Sequence, residues 1–258
     1  MKILVTNDDG IHAEGLWALV RELKKIAQVT VVAPDGERSA IGTAVTLFQP
    51  LHASEFCAPE DGVKAYAIDG SPSDCVILAL GKLITDNIDM VISGINRDLN
   101  LGEDVYISGT VGAAMQGYFR GLPALAVSAP KGSTTGFKVA ARAVAALAQR
   151  MAANKLPRIF LNVNVPDLPM EEVRGIRLTR LARSSHINSV KEYISDQVQQ
   201  YRLVRERVEE SGSDGTDIQA IVQGNISITA LYTSLLDTPP LRLLKKVRTE
   251  LAHELKKE

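Results

Sequence analysis

The sequence predicts an α/β protein built on a mostly parallel sheet with helices covering both faces. Three observations predict it. Short runs such as Val29 to Ala33, Met90 to Ser93 and Ala124 to Ser128 are almost continuously apolar, as strands buried on both faces must be. Segments with apolar residues at helical spacing alternate with those runs. Clusters of Gly, Pro, Asn and Asp close one element before the next begins.

In order, Lys2 to Thr6 is a β-branched, apolar strand that breaks at Asn7-Asp8-Asp9-Gly10. A helix follows with Leu16, Leu19, Val20 and Leu23 on one face. Val29 to Ala33 is the second strand, ended by Pro34-Asp35-Gly36, which completes a β-α-β unit. The alternation repeats: Val76 to Ile84 reads as helix, Met90 to Ser93 as strand, Thr110 to Tyr118 as helix and Ala124 to Ser128 as strand. Phe137 to Ala153 is an alanine-rich helix of high intrinsic propensity, and Ile159 to Val165 is a strand closed by Pro166. Beyond about Leu181 the texture changes. Ser184-Ser185-His186-Ile187-Asn188 and Tyr193 to Val208 are polar and charged, without a buried-strand signal, so this part is expected to project. Ser211 to Asp217 is a turn-rich link, Asn225 to Leu231 alternates like a strand, and Leu241 to Lys257 is a basic amphipathic helix. The chain therefore divides into an α/β core, residues 1–182, and a C-terminal segment, residues 183–258.

Composition excludes several classes of partner. A chain of 258 residues, 45% hydrophobic and 23% charged, can bury its own core without staples. A net charge of -1 offers no basic field for a nucleic acid polymer. MKILVTNDDG has too short an apolar stretch for a signal peptide, and eighteen apolar residues never run together, so a cytoplasmic protein is expected. Cys57 and Cys75 lack CxxC spacing and are expected as reduced thiols, Cys75 as a small core residue.

Ligands of open α/β sheets bind at the carboxyl ends of the strands, which singles out the polar clusters after them. These are Asn7-Asp8-Asp9-Gly10, Glu37-Arg38-Ser39 and Ser93-Gly94-Ile95-Asn96, with Ser108-Gly109-Thr110 opening a helix. Adjacent carboxylates repel, and a divalent cation relieves the repulsion most simply. Asp8, Asp9, the Ser39 hydroxyl and the Asn96 amide offer only oxygen, which suits Mg²⁺ or Mn²⁺. The plain alternative is that Asp8 or Asp9 caps the helix starting near Ala13. Ser108-Gly109-Thr110 precedes the small residues Val111-Gly112-Ala113-Ala114, so backbone N–H groups there can face a phosphate; an ordinary N-cap is the alternative. Arg97 could pair with phosphate or be a solvated surface arginine. Asp69 to Asp74 is a turn before a helix, with Ser73 or Asp74 its natural cap, and His12 and His186 have no visible partner. There is no GxGxxG, P-loop or GxSxG motif, which weakens the common rival activities of this fold class.

Taken together, VTNDDG, Asp35-Gly36-Glu37-Arg38-Ser39, Asp69-Gly70-Ser71-Pro72-Ser73-Asp74-Cys75, Ser93-Gly94-Ile95-Asn96, Ser108 to Ala114 and Asn162-Val163-Asn164-Val165-Pro166 resemble the SurE (survival protein E) family of metal-dependent 5'/3'-nucleotidases. The resemblance covers nearly the whole chain. It implies a Rossmann-like three-layer sandwich with a C-terminal hairpin and helix exchanged between subunits of a homodimer or homotetramer. It also implies one Mg²⁺ or Mn²⁺ per subunit on Asp8, Asp9, Ser39 and Asn96, and release of phosphate from nucleoside 5'- and 3'-monophosphates, with other phosphomonoesters and short polyphosphate as further substrates. On that basis Asp8 and Asp9 are the expected catalytic residues, and Asn7, Asn96, Ser108, Gly109 and Thr110 the expected phosphate contacts. Water positioned by Asp8 or Asp9 would attack phosphorus. Attack by the Asp8 carboxylate itself ranks second, because the local pattern is Asp-Asp rather than Asp-x-Asp. A non-catalytic nucleotide sensor is disfavoured, since without a cation two carboxylates would repel the ligand. The sequence departs from the family pattern at Arg97-Asp98-Leu99, where a glycine is usual close by, and at Ala230, where a proline is usual after the threonine.

Overall fold

The computed structural model describes residues 1–154, 158–183, 187–195, 198–205 and 214–231. In chain order they form β1 (Lys2–Thr6), α1 (Glu14–Leu23), β2 (Gln28–Pro34), β3 (Ala53–Glu55), β4 (Lys64–Ile68), α2 (Pro72–Leu78), β5 (Met90–Asn96), α3 (Gly109–Phe119), β6 (Ala124–Ser128), α4 (Thr134–Ala153), β7 (Phe160–Asn164), β8 (Gly175–Thr179), β9 (Ile187–Ser195), β10 (Val198–Arg205), α5 (Asp217–Val222) and β11 (Asn225–Ala230). Nine of the strands make one sheet in the order β3-β4-β2-β1-β5-β6-β7-β11-β8. From β4 to β7 every neighbouring pair is parallel, while β3 with β4 and β11 with β7 are antiparallel. The mostly parallel α/β sandwich expected from the pattern is the fold observed.

Successive strand residues point to opposite faces, and the core divides accordingly. Ile3 and Val5 of β1 join Leu16, Leu19, Val20 and Leu23 of α1 and the inner face of α4 in one cluster. Leu4 points the other way and meets Val32, Val91, Cys75 and Val76 of α2 and Ala113 of α3. Both faces are thus covered, and every residue of β6 and β7 is buried. Cys57 and Cys75 are both unpaired thiols, and burial pushes the Cys75 thiol up.

Several expectations need correction. The helix read at Val76 starts earlier, at Pro72, and its cap is Ser71 rather than Ser73 or Asp74. Ser71 Oγ accepts from Asp74 N at 3.0 Å while Asp74 Oδ2 accepts from Ser71 N at 2.9 Å, a reciprocal capping box. The helix then widens into a π-helical turn, Ala79–Leu83. The hairpin that the family resemblance implied is present in the polar stretch after Leu181 as two antiparallel strands, β9 with β10, although the residue pattern itself carried no buried-strand signal. The boundary after residue 182 does not separate the C-terminal segment from the core. The chain returns through α5, and β11 enters the main sheet between β7 and β8, placing Ile226 and Ile228 in the core under α4. The expected helix at Leu241 to Lys257, His186 and the first residues of the Ser211 link lie outside the described residues. Among the described residues no helix is long and apolar enough to cross a membrane.

Candidate active site

The carboxyl ends of β1, β2, β5 and β6 open onto one edge of the sheet, and the loops leaving them converge there. Gly10 has φ 95°, and a Cβ on it would lie 2.8 Å from the Gly36 carbonyl carbon, so only glycine lets the first two loops touch. Arg38 N donates to Asp8 O at 2.7 Å across that contact, and Asn7 Nδ2 donates to Gly10 O at 2.9 Å to close the turn. Helix α1 starts after Ala13 without any side-chain cap, so neither Asp8 nor Asp9 serves as one.

The loops enclose a cavity of about 220 Å³ lined by Asp8, Asp9, Glu37, Ser39, Asn96, Arg97, Asp98, Asn100, Asp104, Ser108 and Lys131, with Ala40 and Ile107 at its wall. The structure therefore brings all four expected metal ligands to one space. Asp8 is buried, and Thr110 Oγ1 donates a hydrogen bond to its Oδ1. Gly109 sits so close that a Cβ there would lie 2.9 Å from Asp8 Cβ. Burial pushes the Asp8 carboxyl up to about 7, and the Asp9 charge adds to this, against hydrogen bonds from the Thr110 side chain and amide. Asp9 is raised by burial too, but Arg97 opposes the shift.

Arg97 meets Asp9 twice. Its amide donates to Asp9 Oδ2 at 3.0 Å, and its Nε lies 3.1 Å from Asp9 Oδ1. That second approach is not aligned as a hydrogen bond, so Asp9 Oδ1 is buried without a donor. The same guanidinium reaches Glu37 Oε1 through Nη2 at 2.5 Å, and Ser39 Oγ donates to Glu37 Oε1 at 2.7 Å. The Ser39 and Arg97 hydrogen bonds hold Glu37 below the usual carboxylate range. With its proton on Glu37, the Ser39 oxygen keeps lone pairs for a cation. Asn96 Nδ2 donates to Asp98 O at 2.6 Å, which leaves the amide oxygen as the end able to ligate.

Of the five expected phosphate contacts, Asn96 and Ser108 line the cavity, while Asn7, Gly109 and Thr110 lie behind it. Ser108 is also the N-cap of α3, accepting from Val111 N at 3.1 Å, so the capping and site readings coincide. Thr110 supports Asp8. Asn7 is fully buried, and its Oδ1 has no hydrogen-bond partner.

Sequence reasoning missed Asp98, Asn100, Asp104 and Lys131. Asn100 is the anchor of the loop after β5. Its N–H donates to Asn164 Oδ1 at 2.9 Å, its Nδ2 donates to Ser128 Oγ at 2.9 Å, and its carbonyl accepts from Asn162 Nδ2 at 2.8 Å and Asn164 Nδ2 at 3.0 Å. Farther along, Gly102 N donates to Asp217 Oδ2 at 2.8 Å, tying the loop to α5. Polar Asn162 and Asn164 inside an apolar strand were the signal that could have found this network. Among the described residues no three His, Cys, Asp or Glu side chains gather as a metal cluster. The donor set here has two carboxylates and two neutral oxygens, the chemistry of a hard cation. The donor-less Asp9 Oδ1 and the raised Asp8 carboxyl both fit a cation at this place.

Fold and site together define a class: a three-layer α/β protein with an acidic, oxygen-lined cleft at the carboxyl edge of its parallel strands. Residues 3–188 match the family described as Survival protein SurE, and the chain belongs to that family. The 5'-nucleotidase SurE of Dehalococcoides mccartyi is 46% identical over 246 residues, covering 94% of this chain and 93% of its own length. The protein of the same name from Geobacter sulfurreducens is 42% identical over 249 residues, covering 95% and 93% respectively. The crystal structure of the SurE protein from Aquifex aeolicus superposes with a TM-score of 0.81 at 32% identity, covering 96% of this chain and 99% of that one.

Proposed function

We propose that this chain is a divalent-cation-dependent phosphatase that hydrolyses nucleoside 5'- and 3'-monophosphates to nucleoside and phosphate. The observation that carries the reading is the buried Asp8-Asp9 pair, with one carboxylate oxygen lacking a donor, facing the same cavity as Ser39, Asn96 and Ser108. The 5'-nucleotidase relatives supply the reaction class. Asp8, Asp9, Ser39 and Asn96 would hold one Mg²⁺ or Mn²⁺, which when bound neutralises the carboxylate pair and polarises a phosphoryl oxygen.

The chain's own groups do the rest. Asp8 or Asp9 orients the attacking water and takes its proton. Asn96 and Ser108 hold phosphoryl oxygens, and Lys131 and Arg97 offset the charge of the phosphate. Thr110 and Gly109 fix the Asp8 carboxylate, so that attack meets a rigid group. We place the enzyme in the cytoplasm as a homodimer or homotetramer, with the hairpin and the C-terminal segment contributing to assembly; other phosphomonoesters and short polyphosphate are secondary substrates.

The test is inorganic phosphate release from a panel of nucleoside 5'- and 3'-monophosphates, an aryl phosphate and tripolyphosphate, with Mn²⁺ or Mg²⁺ and again with EDTA. Metal-dependent release that Asp8→Asn abolishes in a folded protein supports the reading, and release unaffected by EDTA overturns it. Trapping of a phosphorylated Asp8 would replace water attack by the covalent route.

A further inference from the structure

The residues lining the cavity include five carboxylates, Asp8, Asp9, Glu37, Asp98 and Asp104, against two cations, Arg97 and Lys131. A phosphate group entering such a space is repelled unless positive charge is already there or arrives with it. Arg97 is placed to supply some, yet its guanidinium faces protein carboxylates instead. Its side chain is half exposed, whereas the Asp9 side chain is only 5% exposed, so the pair joins a fixed, buried anion to a cation with room to move.

The geometry at Asp9 divides the work between two kinds of contact. The Arg97 amide holds Asp9 Oδ2, and this bond keeps the loop in register whatever the side chain does. The guanidinium approaches Oδ1 at 3.1 Å without hydrogen-bond alignment, so there it acts through charge alone. Oδ1 is also an oxygen that a divalent cation would take. Two cations beside one oxygen repel, so occupancy by one lowers the affinity for the other. Glu37 provides the second anchor: bonded to Arg97 Nη2 at 2.5 Å, it keeps the guanidinium at the cavity wall after Asp9 releases it. A planar guanidinium can bind a carboxylate and a phosphate with separate edges.

We propose that Arg97 is the exchangeable counter-ion of Asp9: it competes with the divalent cation for Asp9 and, once displaced, stays on Glu37 and binds a substrate phosphoryl oxygen. The inference rests on the metal-dependent phosphatase reading above and adds to it a residue that exchanges between the metal site and the substrate phosphate.

The experiment is a calorimetric titration of Mn²⁺ into chelator-stripped wild type, Arg97→Gln and Arg97→Lys, with thermal unfolding as the control for folding. Kinetics on the best nucleoside monophosphate at saturating Mn²⁺ complete it. Arg97→Gln should bind Mn²⁺ roughly three- to tenfold more tightly, the range expected for loss of a partly screened competing charge. Its KM should rise by a larger factor than its kcat falls, and Arg97→Lys, which keeps the charge but loses the fork, should lie between. Damage to the loop would instead weaken Mn²⁺ binding, so the direction of the change separates the two roles. Unchanged or weaker Mn²⁺ binding by a folded Arg97→Gln overturns this inference alone, provided wild type binds Mn²⁺ and turns over. Absence of Mn²⁺ binding by wild type overturns both this inference and the metal reading.

Discussion

Replacing Asp8 by Asn removes a charge while keeping the shape of the side chain and an acceptor for the Thr110 hydroxyl. In the metal-free protein, burial pushes the Asp8 carboxyl from 3.8 up to about 7. The folded state therefore binds this proton more tightly than the unfolded chain does. Wild-type stability is unaffected by the group below about pH 4, where both states are protonated, and falls by about 1.4 kcal/mol per pH unit until the folded value is passed. A rise of about 3 units thus corresponds to about 4 kcal/mol lost by pH 8. Asn has no such loss. Asp8→Asn should be more stable than wild type at pH 8 by up to about 4 kcal/mol in EDTA, and equal to it near pH 4. Urea unfolding followed by the fluorescence of buried Trp17, the single tryptophan, gives the difference, in which titrating groups not coupled to Asp8 cancel and the change at its neighbour Asp9 is included. Mn²⁺ at a hundredfold excess over its dissociation constant should restore about 2.7 kcal/mol to wild type and nothing to the variant. A variant no more stable than wild type at pH 8, or a difference that does not change with pH, refutes the argument.

Three further changes probe the frame around the site. Gly112→Ala puts a Cβ 2.3 Å from Gly42 O, so α3 or the loop carrying Ser39 must shift; a loss of about 1–3 kcal/mol in thermal unfolding should accompany reduced phosphate release. Asn164→Ala strips the Asn100 amide of its acceptor and the Asn100 carbonyl of one donor, which should cost about 2–4 kcal/mol and lower activity although residue 164 lies outside the cavity lining. Asp217→Asn keeps one oxygen but turns an NH₂ toward backbone N–H groups of Gly102, Ala182 or Ile218 that now donate to carboxylate oxygens, and faster hydrogen exchange at Gly102 should report the loosened loop.

The interior strands were legible because a strand covered on both faces has no polar side to confuse the pattern, as β5 and β6 illustrate. Strands β3 and β8 were not, since β3 is exposed throughout and β8 keeps Ile176 and Leu178 largely in solvent at the sheet edge. Their pairing is set by backbone geometry at the end of a sheet already formed. The Ser71-Pro72-Ser73-Asp74 cap was readable, for a Ser three residues before an acid with Pro between them is a helix-start signature. At the site, residues that follow strands could be picked out one cluster at a time. Lys131 could not, because what makes it a site residue is proximity to groups from other loops, and the site is assembled across such distances: the Arg97 amide and Asp9 are 88 positions apart, and Thr110 and Asp8 are 102 apart.

The two adjacent carboxylates are compensated in different ways, and this asymmetry gives the site its chemical direction. Asp9 has an internal counter-ion in Arg97, which opposes the effect of burial. Asp8 has none. It receives the Thr110 hydroxyl and amide at the N-terminus of α3, where the helix dipole favours an anion, yet desolvation outweighs these and the carboxyl remains near neutral pH in its titration. A protein that needed Asp8 only for structure would do better with Asn, which keeps the bond to Thr110 without a buried charge. Retaining the acid at that position is useful when an external cation arrives to neutralise it. The two substitutions should therefore act in opposite ways on the same proposed metal: Asp8→Asn removes a ligand and stabilises the empty fold, whereas Arg97→Gln removes a competitor and tightens binding. Because a general loosening of the loops would weaken cation binding in both variants, their opposite signs are the discriminating result.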